Sequence, residues 1–318
     1  MKKTLSLTLG AAVSAALLWL AFRKADVAAV CALMGGLQAK YLLPVGVTVL
    51  GELAIRGLKW ALLLGRMDPA CVWTATRLTA SGLALNNILP FRFGEIARIS
   101  LSAAHFHINI VSLVAAVCAE KILDAAALAA LCLCAVCATG ALPAGFAARF
   151  TPENIRITVL IAAAIVTALI FGRRFSVLRH FRASFISGLQ AFRSPATGAA
   201  LFAMAVFQWF FNALNYYWLS PAFGAASAVD IPRSILLSAT GAAASSVPGV
   251  PGYFGSFELA VSSVLRNWRI AADPALSYAA AAHLLPYLMI TIAGLLLLWR
   301  TDYPLKQLWH SVLREERV

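Results

Sequence analysis

Charged residues are scarce in this chain. Asp, Glu, Lys and Arg make up 12% of its 318 residues, and 13 acids stand against 26 Lys and Arg. Soluble globular domains carry about a quarter of their residues as charges, so an ordinary water-facing surface is excluded. Strict alternation of apolar and polar residues, the mark of barrel strands, is missing as well, and the long continuous apolar runs leave helical spans as the remaining solution. Clusters of metal-ligating residues are lacking too. The six cysteines stand at 31, 71, 118, 132, 134 and 137. The C-x-C-x-x-C run of Cys132, Cys134 and Cys137 lies in an apolar segment with no His or acid nearby, so buried thiols are expected there and no metal site. No nucleophile stands beside a base, which speaks against catalysis, and no cofactor is implied.

What remains is overwhelmingly apolar. With 61% hydrophobic residues and a mean hydropathy of +0.82, the chain reads as an all-α polytopic membrane protein forming a single integral membrane domain over 1–318. Its net charge of +13 places Arg and Lys in cytoplasmic loops facing anionic headgroups; no nucleic-acid partner is implied. Apolar runs predict spans over 5–22, 41–64, 108–138, 155–171, 199–219 and 275–299. The first follows Lys2 and Lys3 and carries a signal-like Ala-Val-Ser-Ala at 12–15, yet it continues through Trp19 and Leu20 to Arg23 and is expected to stay as a span.

The stretch Ser81–Arg98, S-G-L-A-L-N-N-I-L-P-F-R-F-G-E-I-A-R, does not fit a plain span. Asn86, Asn87, Arg92, Glu95 and Arg98 are costly in hydrocarbon. Pro90 removes a donor and forces Leu89 out of helical geometry, while Gly94 weakens the following turn. A re-entrant helical hairpin over about 73–98 that lines a polar cavity is expected. A second interrupted stretch begins at Ser234 and runs through S-S-V-P-G-V-P-G-Y-F-G-S-F-E to Glu258, which predicts another hairpin over about 234–265. Both stretches carry a small residue, a polar pair (Asn86 and Asn87; Ser245 and Ser246), a β-branched residue and proline, then an aromatic-Gly step before an acid.

Ionisable groups also stand inside the predicted spans. Glu52 and Arg56 lie four apart, with Lys59 three further on. Either Glu52 and Arg56 form an internal ion pair with one spare positive charge, or Arg56 and Lys59 extend to an interface beside Trp60. Glu120, Lys121 and Asp124 are expected to project toward one side of their helix and to pair with Arg92 and Arg98. His105 and His107 read as interfacial residues. Gln208, Asn212 and Asn215 lie near one side of the 199–219 span. Arg173, Arg174, Arg179, Arg182 and Arg193 mark 172–196 as a basic cytoplasmic loop, and the tail 300–318 is cytoplasmic as well. Counting from these, both termini are cytoplasmic, and the two hairpins enter from opposite faces and meet near the midplane. That is about six transmembrane helices plus two re-entrant hairpins in an inverted-repeat arrangement.

The blocks N-N-I-L-P-F-R-F-G-E-I-A-R at 86–98, E-K-I-L-D at 120–124 and P-G-V-P-G-Y-F-G-S-F-E at 248–258 resemble, in order and spacing, those of the lysylphosphatidylglycerol synthase transmembrane-region (flippase-domain) family. The resemblance covers nearly the whole chain. It implies a bacterial inner-membrane lipid transporter, not an enzyme, whose site includes Asn87, Arg92, Glu95, Arg98, Glu120, Lys121, Asp124 and Glu258. An arginine common in the family's last span is replaced by His283, which joins the candidate site and, if it faces the cavity, makes activity vary between about pH 5 and 8. No aminoacyl-transferase domain follows the membrane part, so lipid aminoacylation is not expected of this chain. The implied partners are membrane lipids with anionic or zwitterionic headgroups, of phospholipid, polyprenyl or hopanoid type, with proton or ion coupling through the carboxylates. The competing classes are an intramembrane enzyme using Glu95 or Glu120 as a base and a non-transporting scaffold for lipid biosynthesis.

Overall fold

A computed structural model describes residues 35–89, 93–140, 183–245 and 251–299, with Ala28 and Ala32. These residues form helices and turns, with no strand among them. Eight α-helices follow in order: α1 (Ala39–Leu63), α2 (Pro69–Ile88), α3 (Phe93–Phe106), α4 (Ile110–Thr139), α5 (Pro195–Leu219), α6 (Ile231–Ala244), α7 (Ser256–Asn267) and α8 (Ala272–Trp299). Four of them, α1, α4, α5 and α8, are long and apolar enough to cross a membrane. They occupy four of the six predicted spans. The other two, 5–22 and 155–171, lie outside the described residues, as do the arginines at 173, 174, 179 and 182 and the tail.

Between these apolar helices sit two pairs of shorter or less apolar ones, α2 (20 residues) with α3 and α6 with α7, each pair packed along itself. Their boundaries follow from the sequence. Asp68 accepts a hydrogen bond from the Cys71 N–H at 3.0 Å ahead of Pro69, and so starts α2 with a capped turn and a proline that lacks a donor to lose. The helix ends where Leu89, the residue before Pro90, turns extended at φ −95° and ψ 142°. Asp230 caps α6 in the same way through the Arg233 N–H at 2.8 Å, again followed by a proline in the first turn. Asn109 caps α4 through the Val111 N–H at 2.8 Å, and Gly140, at φ 65°, closes it in the left-handed conformation that suits glycine. Asn109→Ala should therefore lower stability by about 1 kcal/mol in a thermal or denaturant melt in detergent.

Glycines set how tightly each short pair closes. A Cβ at Gly94 of α3 would overlap the Gly82 carbonyl of α2, and one at Gly241 of α6 would meet the Phe257 ring of α7 at 2.6 Å. In both pairs one helix rests on bare backbone of the other.

Two apolar clusters bind the ends of the bundle. One joins Leu63 at the end of α1, Phe106 at the end of α3, Leu113 near the start of α4, Leu201 near the start of α5 and Leu298 near the end of α8. The other joins Leu219 at the end of α5, Val229 before α6, Leu265 near the end of α7 and Ala275 near the start of α8, with Val45 and Val49 of α1. The two short pairs are thus rooted at opposite ends of α5. Packing between the halves is reciprocal: α1 lies along α5, α2 packs on α8, α6 packs on α4, α4 touches α5, and α8 touches α1.

Candidate functional site

Thr48, Glu52, Arg56 and Lys59 recur at helical spacing along α1, and Gln208, Asn212 and Asn215 do the same along α5. The two helices run antiparallel, and their polar faces form a ladder. Thr48 Oγ1 donates to Asn215 Oδ1, Asn212 Nδ2 donates to Glu52 Oε2 at 3.1 Å, and Lys59 Nζ donates to Gln208 Oε1 at 2.6 Å. Arg56 grips Glu52 from within α1 through Nε at 2.9 Å and Nη2 at 2.7 Å. Ser238 of α6 donates to Asn212 Oδ1 at 2.7 Å, which ties a short helix to the ladder.

The centre of the site is a four-charge network. Lys59, with 0% of its surface exposed, donates to Asp124 Oδ1 and stands 3.7 Å from Glu120 Oε1. Arg98 of α3 donates through Nη2 to Glu120 Oε2 at 2.7 Å, and its guanidinium lies 4.3 Å over the Trp60 ring. Trp60 is fixed in turn by its Nε1 donating to Ser102 Oγ at 3.2 Å. Two cations therefore meet two carboxylates, all buried, with charges in balance. Two donors in the network remain unspent: Arg98 Nε and Gln208 Nε2 are buried without a hydrogen-bond partner. Buried donors are rarely left in that state, and each can still donate to an acceptor that reaches it.

The candidate residues fall into two groups. Arg98, Glu120 and Asp124 converge in the centre. Lys121 does not join them, because neighbouring residues stand about 100° apart around a helix; it is 46% exposed and pairs with Glu95 at 2.7 Å on the outer edge of the α3–α4 contact. Arg92 lies outside the described residues; among those described, Lys59 and Arg98 pair with the two acids. His105 and His107 are exposed, Cys132 is buried, and Cys134 and Cys137 are exposed free thiols. Where a polar cavity was expected, the opposed charges pack onto one another, the pairing that buried ions require.

Asn87, Glu258 and His283 form the second group. Glu258 accepts the Gly255 N–H at 2.6 Å at the start of α7, and its other oxygen lies 2.6 Å from His283 Nδ1 of α8. Phe257 stacks on the imidazole at 4.4 Å, and Phe254 lies 5.0 Å away. His283, Tyr287 and Thr291 are spaced by four along α8, and the last two hold α2: Asn87 Nδ2 donates to Thr291 Oγ1 at 2.8 Å, while Tyr287 OH donates to the Asn87 carbonyl at 3.2 Å. The group fastens both short pairs to α8. His283→Leu strips the buried Glu258 of a partner and should cost about 1–3 kcal/mol in a detergent melt, an effect that His283→Asn should reduce.

Lys59, Trp60, Gln208 and Asn212 complete the site, although the motif blocks do not contain them. A fourfold or sevenfold spacing of polar residues along both α1 and α5 was the available signal. In comparisons with known proteins, the model of a family described as the lysylphosphatidylglycerol synthase TM region matches residues 7–294. No curated protein and no solved structure matches the chain.

Proposed function

The chain belongs to the lysylphosphatidylglycerol synthase transmembrane-region family, and on that premise we propose that it moves a lipid with an anionic headgroup between the leaflets of a bacterial inner membrane. One observation carries this reading: Lys59 and Arg98 are held deep among apolar helices by Glu120 and Asp124, with the Gln208 carbonyl and the Trp60 ring as further contacts, and the Arg98 Nε and Gln208 Nε2 donors are still unspent. Charges are costly at that depth, and a group that must cross the hydrocarbon needs matched partners there. A headgroup phosphate competes with Glu120 and Asp124 for the two cations. Displacement of the carboxylates by phosphate gives a second arrangement of energy similar to the charge-paired one. Released carboxylates are the natural place for proton or ion coupling.

The reciprocal packing supports an inverted repeat in which α1–α4 and α5–α8 are equivalent units, each an opening span, a short pair and a closing span. Rooting of the pairs at opposite ends of α5 supports two re-entrant hairpins inserted from opposite leaflets, as in transporters that rock one repeat against the other. Arg66, Arg77 and Arg193 favour a cytoplasmic position for the end where α1 stops and α4 and α5 start, and with it cytoplasmic termini.

Reconstitution tests the proposal. Vesicles holding the purified chain and fluorescent phosphatidylglycerol are treated with a membrane-impermeant quencher. Quenching of inner-leaflet label above that of empty vesicles is the expected result. Chemically altered lipid would replace transport by an enzymatic role, and unchanged, protected lipid would leave a scaffold.

A further inference from the structure

A cavity of about 560 Å³ opens where the end of α1, the start of α4 and the segment leading into α5 meet. Arg66, Arg193, Ser112, Ser187, Ser194 and Thr197 line it, over an apolar floor from Leu62 to Leu64. No carboxylate is in the lining, and neither arginine pairs with an acid among the described residues. That separates Arg66 and Arg193 from Arg56, Lys59 and Arg98, whose charges are all spent on acids. The nearest acid along the chain, Asp68, caps α2 and attracts Arg66 through space without forming an ion pair with it.

The wall of this cavity is built, not frayed. Ser112 Oγ of α4 bonds the Ser184 carbonyl and Ser187 Oγ, each at 2.8 Å, and Gly188 lies so close to α4 that any side chain there would overlap the Ser112 carbonyl. Two helices, α4 and α5, begin at its rim and α1 ends there, so the carbonyl end of α1 offsets part of the positive potential that the two N-termini contribute. The cavity also sits near the central network without being part of it: Leu63 lies four residues beyond Lys59, about 6 Å along the axis of α1.

We infer that this cavity is a second binding site, apart from the central network, for a phosphate-bearing anion of the size of a phospholipid headgroup. Arg66 and Arg193 supply the charge, and the hydroxyls at its rim accompany them as donors. Its volume falls in the range of small-ligand pockets and suits a phosphoglycerol group rather than a whole lipid. A lipid headgroup and free phosphate share this chemistry.

Calorimetric titration of the detergent-solubilised full chain with short-chain phosphatidylglycerol, and separately with inorganic phosphate, tests the inference. Arg66→Gln/Arg193→Gln should weaken binding roughly 10-fold or more, the loss of charge-assisted contacts. Arg233→Gln/Arg266→Gln, which removes the same charge at the other end of the bundle, should leave binding within about twofold, as for charges beyond the screening length. Phosphate that binds and competes with the lipid identifies the free anion as sufficient, whereas binding of the lipid alone assigns the site to the headgroup. Equal weakening by both double variants, unchanged binding in the first, or no binding of either ligand to the folded protein overturns the site. Arg193→Gln alone serves if the double variant does not fold. Unchanged binding in the first double variant removes this site and leaves the transport reading standing, absence of any binding counts against both, and failure of transport with binding intact leaves this site standing.

Discussion

Lys59→Met is expected to lower the unfolding free energy by about 3–5 kcal/mol, the usual cost of removing one partner from a buried ion pair. The ammonium group holds Asp124 directly, lies 3.7 Å from Glu120 and satisfies Gln208 Oε1. Methionine fills much of the same volume, so the loss reports charge and hydrogen bonding rather than a cavity. Removing both partners, in Lys59→Met/Asp124→Leu, should recover most of the stability, because a well-packed apolar pair can replace a buried ion pair at little cost. The double variant should nevertheless fail to move lipid. Denaturant melts of both proteins in mixed micelles, read beside the transport assay, separate the two roles. If the double variant is as unstable as the single one, Lys59 does more than neutralise Asp124.

Gly94→Ala is the second large effect. The added methyl group would overlap the Gly82 carbonyl and approach Asn86, whose side chain accepts the Glu95 N–H at 3.2 Å. The two nearest obstacles, the Gly82 carbonyl and the Asn86 amide nitrogen, are backbone, so α3 must slide away from α2, at a cost of about 1–3 kcal/mol or more. Arg98 sits one turn further along α3, so the same shift loosens its bond to Glu120. Transport should fall more steeply than stability. Gly198→Ala, at an open position where the nearest atom to the new methyl is 3.9 Å away, should behave like wild type in the same melt and the same assay.

Much of this architecture is legible in the amino-acid order because it is enforced locally. Proline dictates that Leu89 leaves the helix, Asp and Asn before a proline or an apolar run start helices, and continuous apolar runs long enough to span a bilayer mark α1, α4, α5 and α8. The Glu52–Arg56 pair follows from a spacing of four. Of the two readings open for Lys59, neither is what it does: it reaches no interface and is not a spare charge, because its partners lie 65 and 149 positions away, on α4 and α5. Spacing tells which face a side chain occupies, not what meets that face. Lys121 shows the same limit from the other side, since its closeness in sequence to Glu120 placed it in the wrong group. The resemblance likewise groups Glu258 and His283 with the central charges, whereas packing assigns them to the junction of α7, α8 and α2.

In the proposed function, the network of Lys59, Arg98, Glu120 and Asp124 is the part of the molecule on which lipid movement depends. Glu120 is the residue common to both cations, and Glu120→Gln keeps its shape while removing its charge. The most direct test is the rate at which wild type and Glu120→Gln, in matched vesicles at equal protein density, expose inner-leaflet phosphatidylglycerol to the external quencher. Fast exposure by wild type and a rate near that of empty vesicles for a folded Glu120→Gln protein is the predicted outcome; equal rates for the two proteins would contradict it.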